Sequence, residues 1–216
     1  MAKTVTAAEM KERERAANEA GLLYIQMMEN AGRAAWKELK ARVPALRRLL
    51  IVAGKGNNGG DGFVMARVAA KEGVQVRVLL AEGEPKTADA KTNLARLAET
   101  AAEIVRDTEQ AAFGADAVVD ALYGTGFHGE LRPDGAAACA LMDRERERGA
   151  FVLALDLPSG VSADSGEVAE GAVQADATVT FDCTKPLHFA KASKPLCGAL
   201  VCVDIGIGKA LGEHET

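Results

Sequence analysis

Aromatic residues are scarce in this chain. Trp, Tyr and Phe together make up 4% of its 216 residues, too few for the stacking platforms that hold single-stranded nucleic acid. Positive charge is not in excess either. Lys and Arg number 26 against 31 Asp and Glu, for a formal net charge of −5. That argues against a non-specific DNA or RNA binder, because backbone phosphates need a basic face. A small anion stays within reach, since loop amides and helix ends bind one without net positive charge. The four cysteines, at 139, 183, 197 and 202, include no C-x-x-C pair, and the histidines at 128, 188 and 214 are scattered. A zinc site is not expected; free thiols in a reducing compartment are. The opening "MAKTVTAAEMKERERAA" has no apolar signal core. No run approaches the roughly 18 apolar residues of a membrane helix. The expectation is a soluble, cytoplasmic protein.

A hydrophobic fraction of 48% is enough for a real core. The length suits one domain over 1–216, with a helical segment at about 6–42 and an α/β core at about 48–208. "TAAEMKERERAANEAG" starts with Thr6 and Glu9 at capping-box spacing and stops at Gly21. A second helix ends before Pro44, with Leu22, Ile25, Met28, Ala35 and Leu39 at helical spacing. Its apolar side suits packing on the sheet or a dimer face. Strands and helices then alternate. Strands are expected at 48–53, 74–80, 102–105, 115–122, 150–156, 175–181 and 199–205. Helices are expected in "GDGFVMARVAAKEG", "KTADAKTNLARLAET" and "DGAAACALMDRERERG", the charge run "DRERERG" being read as a solvated face. Such alternation implies a Rossmann-like three-layer α/β/α sandwich around a mostly parallel sheet.

In such a sheet the loops leaving the strand carboxyl ends share one edge, where ligands bind. Three of these loops are polar and rich in glycine: "GKGNNGGDG", "GTGFHGELR" and "LPSGVSADSGEV". Gly54–Gly59 and Gly124–Gly129 each satisfy G-x-G-x-x-G, a weak pattern alone. No Gly-Lys-Ser/Thr follows, so this is not a Walker A loop. Asp61 stands at the expected helix start, where it would cap the helix but repel a pyrophosphate. The ribose-binding acid of a dinucleotide fold would have to be Glu82 or Glu84, a loose match. Asp120 and Asp156 close two neighbouring strands, and the rigid Leu157-Pro158-Ser159-Gly160 turn orients the second. A partly desolvated carboxylate there suits acid–base work. Asn58, Asp120 and Ser159 offer only oxygen, which suits a hard cation if they converge.

The stretches "TAAEM", "MENAGRAA", "GNNGGDGFVMAR", "DALYGTGFHGELR", "ALDLPSGVSADSGEV", "ADATVTF" and "VDIGIG" resemble, in order, the NAD(P)H-hydrate epimerase family, the YjeF N-terminal domain. The resemblance runs from about Thr4 to Gly208. It implies a usually dimeric protein that interconverts the R and S forms of NADH or NADPH hydrated at C6 of the nicotinamide ring (NADHX and NADPHX). An ATP- or ADP-dependent dehydratase, fused to this domain in many relatives, then repairs the S form. By matching motif, the resemblance assigns substrate binding to Asn57, Asn58, Gly59, Gly60 and Asp61. It assigns the same role to Gly124, Thr125, Gly126, Phe127, His128, Gly129 and Glu130, and to Asp156. Asp156 becomes the catalytic carboxylate, with Lys185 beside it. A potassium ion is implied at Asn58, Asp120 and Ser159. "DCTKPLHF" departs from the family's small, glycine-rich run, and His188 and Cys183 are read there as packing residues. Chemically, the ring nitrogen can expel the C6 hydroxyl and water can return on either face, with Asp156 alternating as acid and base. The rival readings are a non-catalytic nucleotide-binding or protein-interaction module and an NAD-dependent oxidoreductase.

Overall fold

The computed structural model describes residues 3–213; His214 lies outside them. Helix α1 (Ala7–Glu19) begins with the expected capping box. Thr6 Oγ1 accepts from the Glu9 amide at 3.2 Å, and the Glu9 carboxylate accepts from the Thr6 amide at 2.7 Å. Helix α2 (Tyr24–Arg42) buries Met28, Ala35 and Leu39 as the spacing predicts, together with Met27, Ala31 and Trp36; Ile25 is only half-buried.

Seven strands follow: β1 (Arg48–Ala53), β2 (Gln75–Leu80), β3 (Glu103–Val105), β4 (Ala117–Ala121), β5 (Phe151–Leu155), β6 (Ala177–Phe181) and β7 (Ala199–Val203). Every pairing between them is parallel, in the order β3-β2-β1-β4-β5-β6-β7. The order reverses between β1 and β4, the place where open α/β sheets leave a crevice at the strand carboxyl ends. Alternate residues feed two cores. Leu49, Ile51, Val119 and Leu153 pack on one face with α2, α3 (Asn57–Lys71) and α4 (Ala88–Leu97). Leu50, Val52, Val118 and Val152 pack on the other with α5 (Thr108–Ala111) and α6 (Pro133–Glu147). This is why the strands read as continuous apolar runs.

Two local expectations need correction. Helix α3 starts at Asn57 with Gly56 as its cap, so Asp61 is inside the helix and caps nothing. "DRERERG" is not wholly solvated: Glu145 is fully buried and accepts the Ala115 amide at 3.0 Å. Two 3₁₀ turns cover Pro186–His188 and Lys194–Cys197 before β7, and a short α7 (Ile207–Ala210) follows it. All four cysteines are free thiols, three of them buried.

Candidate active site

A cavity of about 530 Å³ runs along the strand carboxyl ends. Asp156 follows β5 directly and holds φ at +64°, a conformation an L-residue adopts only when its surroundings impose it. Its amide donates to Val179 O at 2.8 Å. Its carboxylate accepts from the Lys185 ammonium and from Thr180 Oγ1 at 3.0 Å, and Lys185 Nζ also reaches Thr180 Oγ1 at 2.9 Å. Lys185 is 1% exposed, so its charge is matched within the protein.

His188 joins the two main chains of this pair. Its Nδ1 accepts the Lys185 amide at 2.9 Å, which leaves the proton on Nε2, 3.0 Å from the Asp156 carbonyl. Burial pushes this imidazole down to about 4, so it remains neutral and keeps that bond near pH 7. It does more than pack, and it holds the strained Asp156 in place. Cys183 is buried as expected.

Two further carboxylates in the cavity lining are coupled to this pair. Asp61 comes from α3, and Glu14 from α1. Burial, then Asp156, raises the Glu14 carboxyl to about 7. Burial and the same neighbours hold the Asp61 carboxyl well above its ordinary range. A neutral Asp61 would not repel an anion in the way an ionised one would. Three carboxylates thus surround one ammonium.

This arrangement sets a stability trend. The folded protein keeps the Glu14 proton to about pH 7, whereas an unfolded Glu releases it near 4.5. Folding therefore binds a proton between these values, and this group's contribution is lost as pH rises through them. Glu14→Gln should melt a few degrees above the parent at pH 8 and lose that advantage at pH 4.5, as read by thermal denaturation at both pH values. Equal melting points throughout would contradict it.

Beneath the cavity, Asn58, Asp120 and Ser159 do converge. Asp120 accepts Ser159 Oγ at 2.6 Å and the Ser159 amide at 2.7 Å. Ser159 Oγ accepts the Tyr123 amide at 2.9 Å, and Asn58 Nδ2 donates to Tyr123 O at 2.8 Å. Asn58 Oδ1 is buried without a partner among the described residues. Burial raises Asp120 to about 6 against the pull of its Ser159 and Leu122 hydrogen bonds. Among the described residues no group of three or more His, Cys, Asp and Glu could hold a metal ion. An all-oxygen set with a serine and an asparagine is a different kind of site.

At the β2 end, Glu82 lines the cavity. It accepts Tyr123 Oη at 2.8 Å and pairs with Lys55 at 3.4 Å. Of the residues assigned from sequence, Asn57, Asn58, Asp61, Gly124–His128, Glu130, Asp156 and Lys185 line the cavity. Gly59 and Gly60 lie behind it. A Cβ on Gly59 would stand 2.0 Å from Gly54 O, and one on Gly60 2.5 Å from Met28 Sδ. Gly129, at φ +78°, turns the chain outside the lining. Sequence reading missed Glu14, Lys55, Tyr123 and Arg132, which also line the cavity. Glu14 sits in the charged run Lys11–Arg15 of α1, so nothing local marks it.

Residues 24–187 match the family described as YjeF-related protein N-terminus. An NAD(P)H-hydrate epimerase of Pirellula staleyi is 41% identical over 207 residues, covering 90% of this chain and 88% of that protein. A bifunctional NAD(P)H-hydrate repair enzyme Nnr of Coxiella burnetii is 37% identical over 203 residues, covering 94% of this chain but 41% of that protein; the chain therefore spans less than half the length of that relative. The crystal structure of yeast ynu0, YNL200c, superposes with a TM-score of 0.76 at 19% identity, over 94% of this chain and 88% of that one. At that identity the likeness concerns the fold.

Proposed function

Because the chain belongs to the family of YjeF-related protein N-termini, we propose that it interconverts the R and S epimers of hydrated NADH and NADPH. The observation that carries this reading is the Asp156–Lys185 pair, held in a strained conformation at the carboxyl edge of β5 and β6 inside the cavity. A dinucleotide lies across such an edge, with its phosphates at the crevice where strand order reverses. That crevice is the amino end of α3, at Asn57. The hydrated ring then reaches Asp156. Departure of the C6 hydroxyl needs an acid and return of water needs a base, and a positioned carboxylate contributes about 10²–10⁴-fold to such transfers. Lys185 and His188 fix which way that carboxylate points.

The oxygen set under the cavity fits potassium, because the buried Asn58 Oδ1 lacks a partner among the described residues and every donor is an oxygen. Asn58, Asp120 and Ser159 would hold the ion, which supplies positive charge beneath the substrate loops and ties the β1 and β4 ends together. Potassium chloride should raise the melting temperature by several degrees over lithium chloride at equal ionic strength, since a hundredfold excess over the dissociation constant stabilises by about 2.7 kcal/mol. Asp120→Asn should abolish the difference. Identical melting in the two salts would count against the site.

On this reading the protein works in the cytoplasm as a homodimer, and a dehydratase consumes the S epimer. The test is incubation with one pure epimer of NADHX, followed by chromatography that separates the two. Catalysed formation of the other epimer supports the proposal. Binding of the hydrate without interconversion would favour the non-catalytic module.

A further inference from the structure

Epimerisation at C6 makes a stereochemical demand that one carboxylate does not meet. The hydroxyl leaves from one face of the ring. Water must return to the other. A side chain fixed in strained backbone, as Asp156 is, serves the face it touches.

Resting on the epimerase reading above, we infer that Glu14 is the second proton carrier and a catalytic residue, acting on the ring face opposite Asp156. Glu14 reaches the cavity from α1, a different wall from the sheet edge that bears Asp156. Helix α1 is clamped to the loops around the site. The Ala7 amide donates to Asp164 at 2.7 Å, and Arg13 pairs with Asp182 at 3.0 Å. Clamping one residue away fixes Glu14 without occupying it. Among the described residues its carboxylate has no hydrogen-bond or ion-pair partner, whereas its neighbours Glu12 and Arg13 are engaged. The charged groups facing it are Asp156, Asp61, Asp182, Lys185 and Lys11, and its carboxyl stands at about 7. It can therefore both hold and release a proton near neutrality. Asp61 is held well above its ordinary range by burial and by the Asp156 and Glu14 carboxylates.

The step balances without an oxidant or reductant. The C6–O bond breaks, its electron pair leaving with oxygen, which takes a proton from one carboxylic acid and departs as water. The ring-nitrogen lone pair fills in to form a planar iminium. Water then adds to C6 from the other face. The C=N π pair returns to nitrogen, and the surplus proton passes to the second carboxylate. The net change at the protein is one proton moved between Asp156 and Glu14, in opposite directions for the two epimers.

The test uses each pure epimer of NADHX in H₂¹⁸O, with chromatographic separation and mass analysis of both products. The parent should invert either epimer with one ¹⁸O gained at C6. Glu14→Gln should slow inversion by about 10²–10⁴-fold. Yet the epimer whose hydroxyl faces Asp156 should still exchange its oxygen with solvent while keeping its configuration, because Asp156 can release and return water on its own face. A merely structural role would not produce that split. Full-rate inversion by Glu14→Gln would overturn the inference, and so would equal loss of exchange and inversion for both epimers in a folded variant. The split appearing in Asp61→Asn instead would transfer the role to Asp61 and likewise overturn it. A parent that inverts neither epimer would overturn the epimerase reading itself.

Discussion

Asp156→Asn is expected to slow epimer interconversion by about 10²–10⁴-fold, the contribution of a positioned acid–base group. The amide keeps the shape and the hydrogen bond from Thr180 but carries no proton between substrate and solvent. The variant should still fold. Removing one member of an isolated buried ion pair costs about 3–5 kcal/mol, and Lys185 is buried. Here Asp61 and Glu14 still face Lys185, so the melting temperature should fall by less than that cost implies. Lys185→Met reverses the balance. It leaves Asp156, Asp61 and Glu14 without the ammonium they share, and it should lose activity and melt lower as pH rises. Steady-state rates and melting curves of both variants check these outcomes together. An Asp156→Asn enzyme at full rate would remove Asp156 from the chemistry.

Gly59→Ala should be strongly destabilising although it adds a single methyl within a helix. Inside a helix, alanine is favoured over glycine by about 1 kcal/mol. At Gly59 that gain is overwhelmed. The new Cβ would lie 2.0 Å from Gly54 O and 3.0 Å from Gly54 C, backbone atoms with no flexible end to give way. Overpacking against rigid neighbours costs about 1–3 kcal/mol or more, and a chain of this size loses roughly 2–4 °C per kcal/mol. A net fall of several degrees is expected. Gly126→Ala is the matched control. Nothing lies within 4 Å of its would-be Cβ, so its stability should stay within about 0.5 kcal/mol. Because Gly126 lines the cavity, its effect should appear in KM. Equal melting of the two variants would contradict this division.

That contrast shows what the sequence made legible. The apolar runs located all seven strands within two or three residues, because strands covered on both faces announce themselves without needing a partner. The glycine loops at their carboxyl ends pointed to the right edge. Asp120 and Ser159 fell together there, because strand ends in a parallel sheet converge by construction. The meaning of each glycine was hidden. Gly54 and Gly59 are small because two backbones touch, a tertiary fact, whereas Gly126 borders open space. Asn57-Asn58-Gly59-Gly60 reads as loop by propensity but forms the first turn of α3, because packing of Gly59 on the Gly54 backbone and of Gly60 on Met28 overrides propensity. Glu14 was invisible for a related reason. Its place in the cavity depends on how α1 docks, and Lys11–Arg15 alone is a run of interchangeable charges. His188 looked like filler, since hydrogen bonds to two main chains leave no trace in spacing.

The most direct measurement of the central claim follows both pure epimers of NADHX separately with the purified protein in potassium buffer. The epimerase reading predicts that the two time courses converge on the same R/S ratio, much faster than without protein, and that Asp156→Asn abolishes the acceleration. Two time courses that stay at the spontaneous rate with folded protein would contradict it.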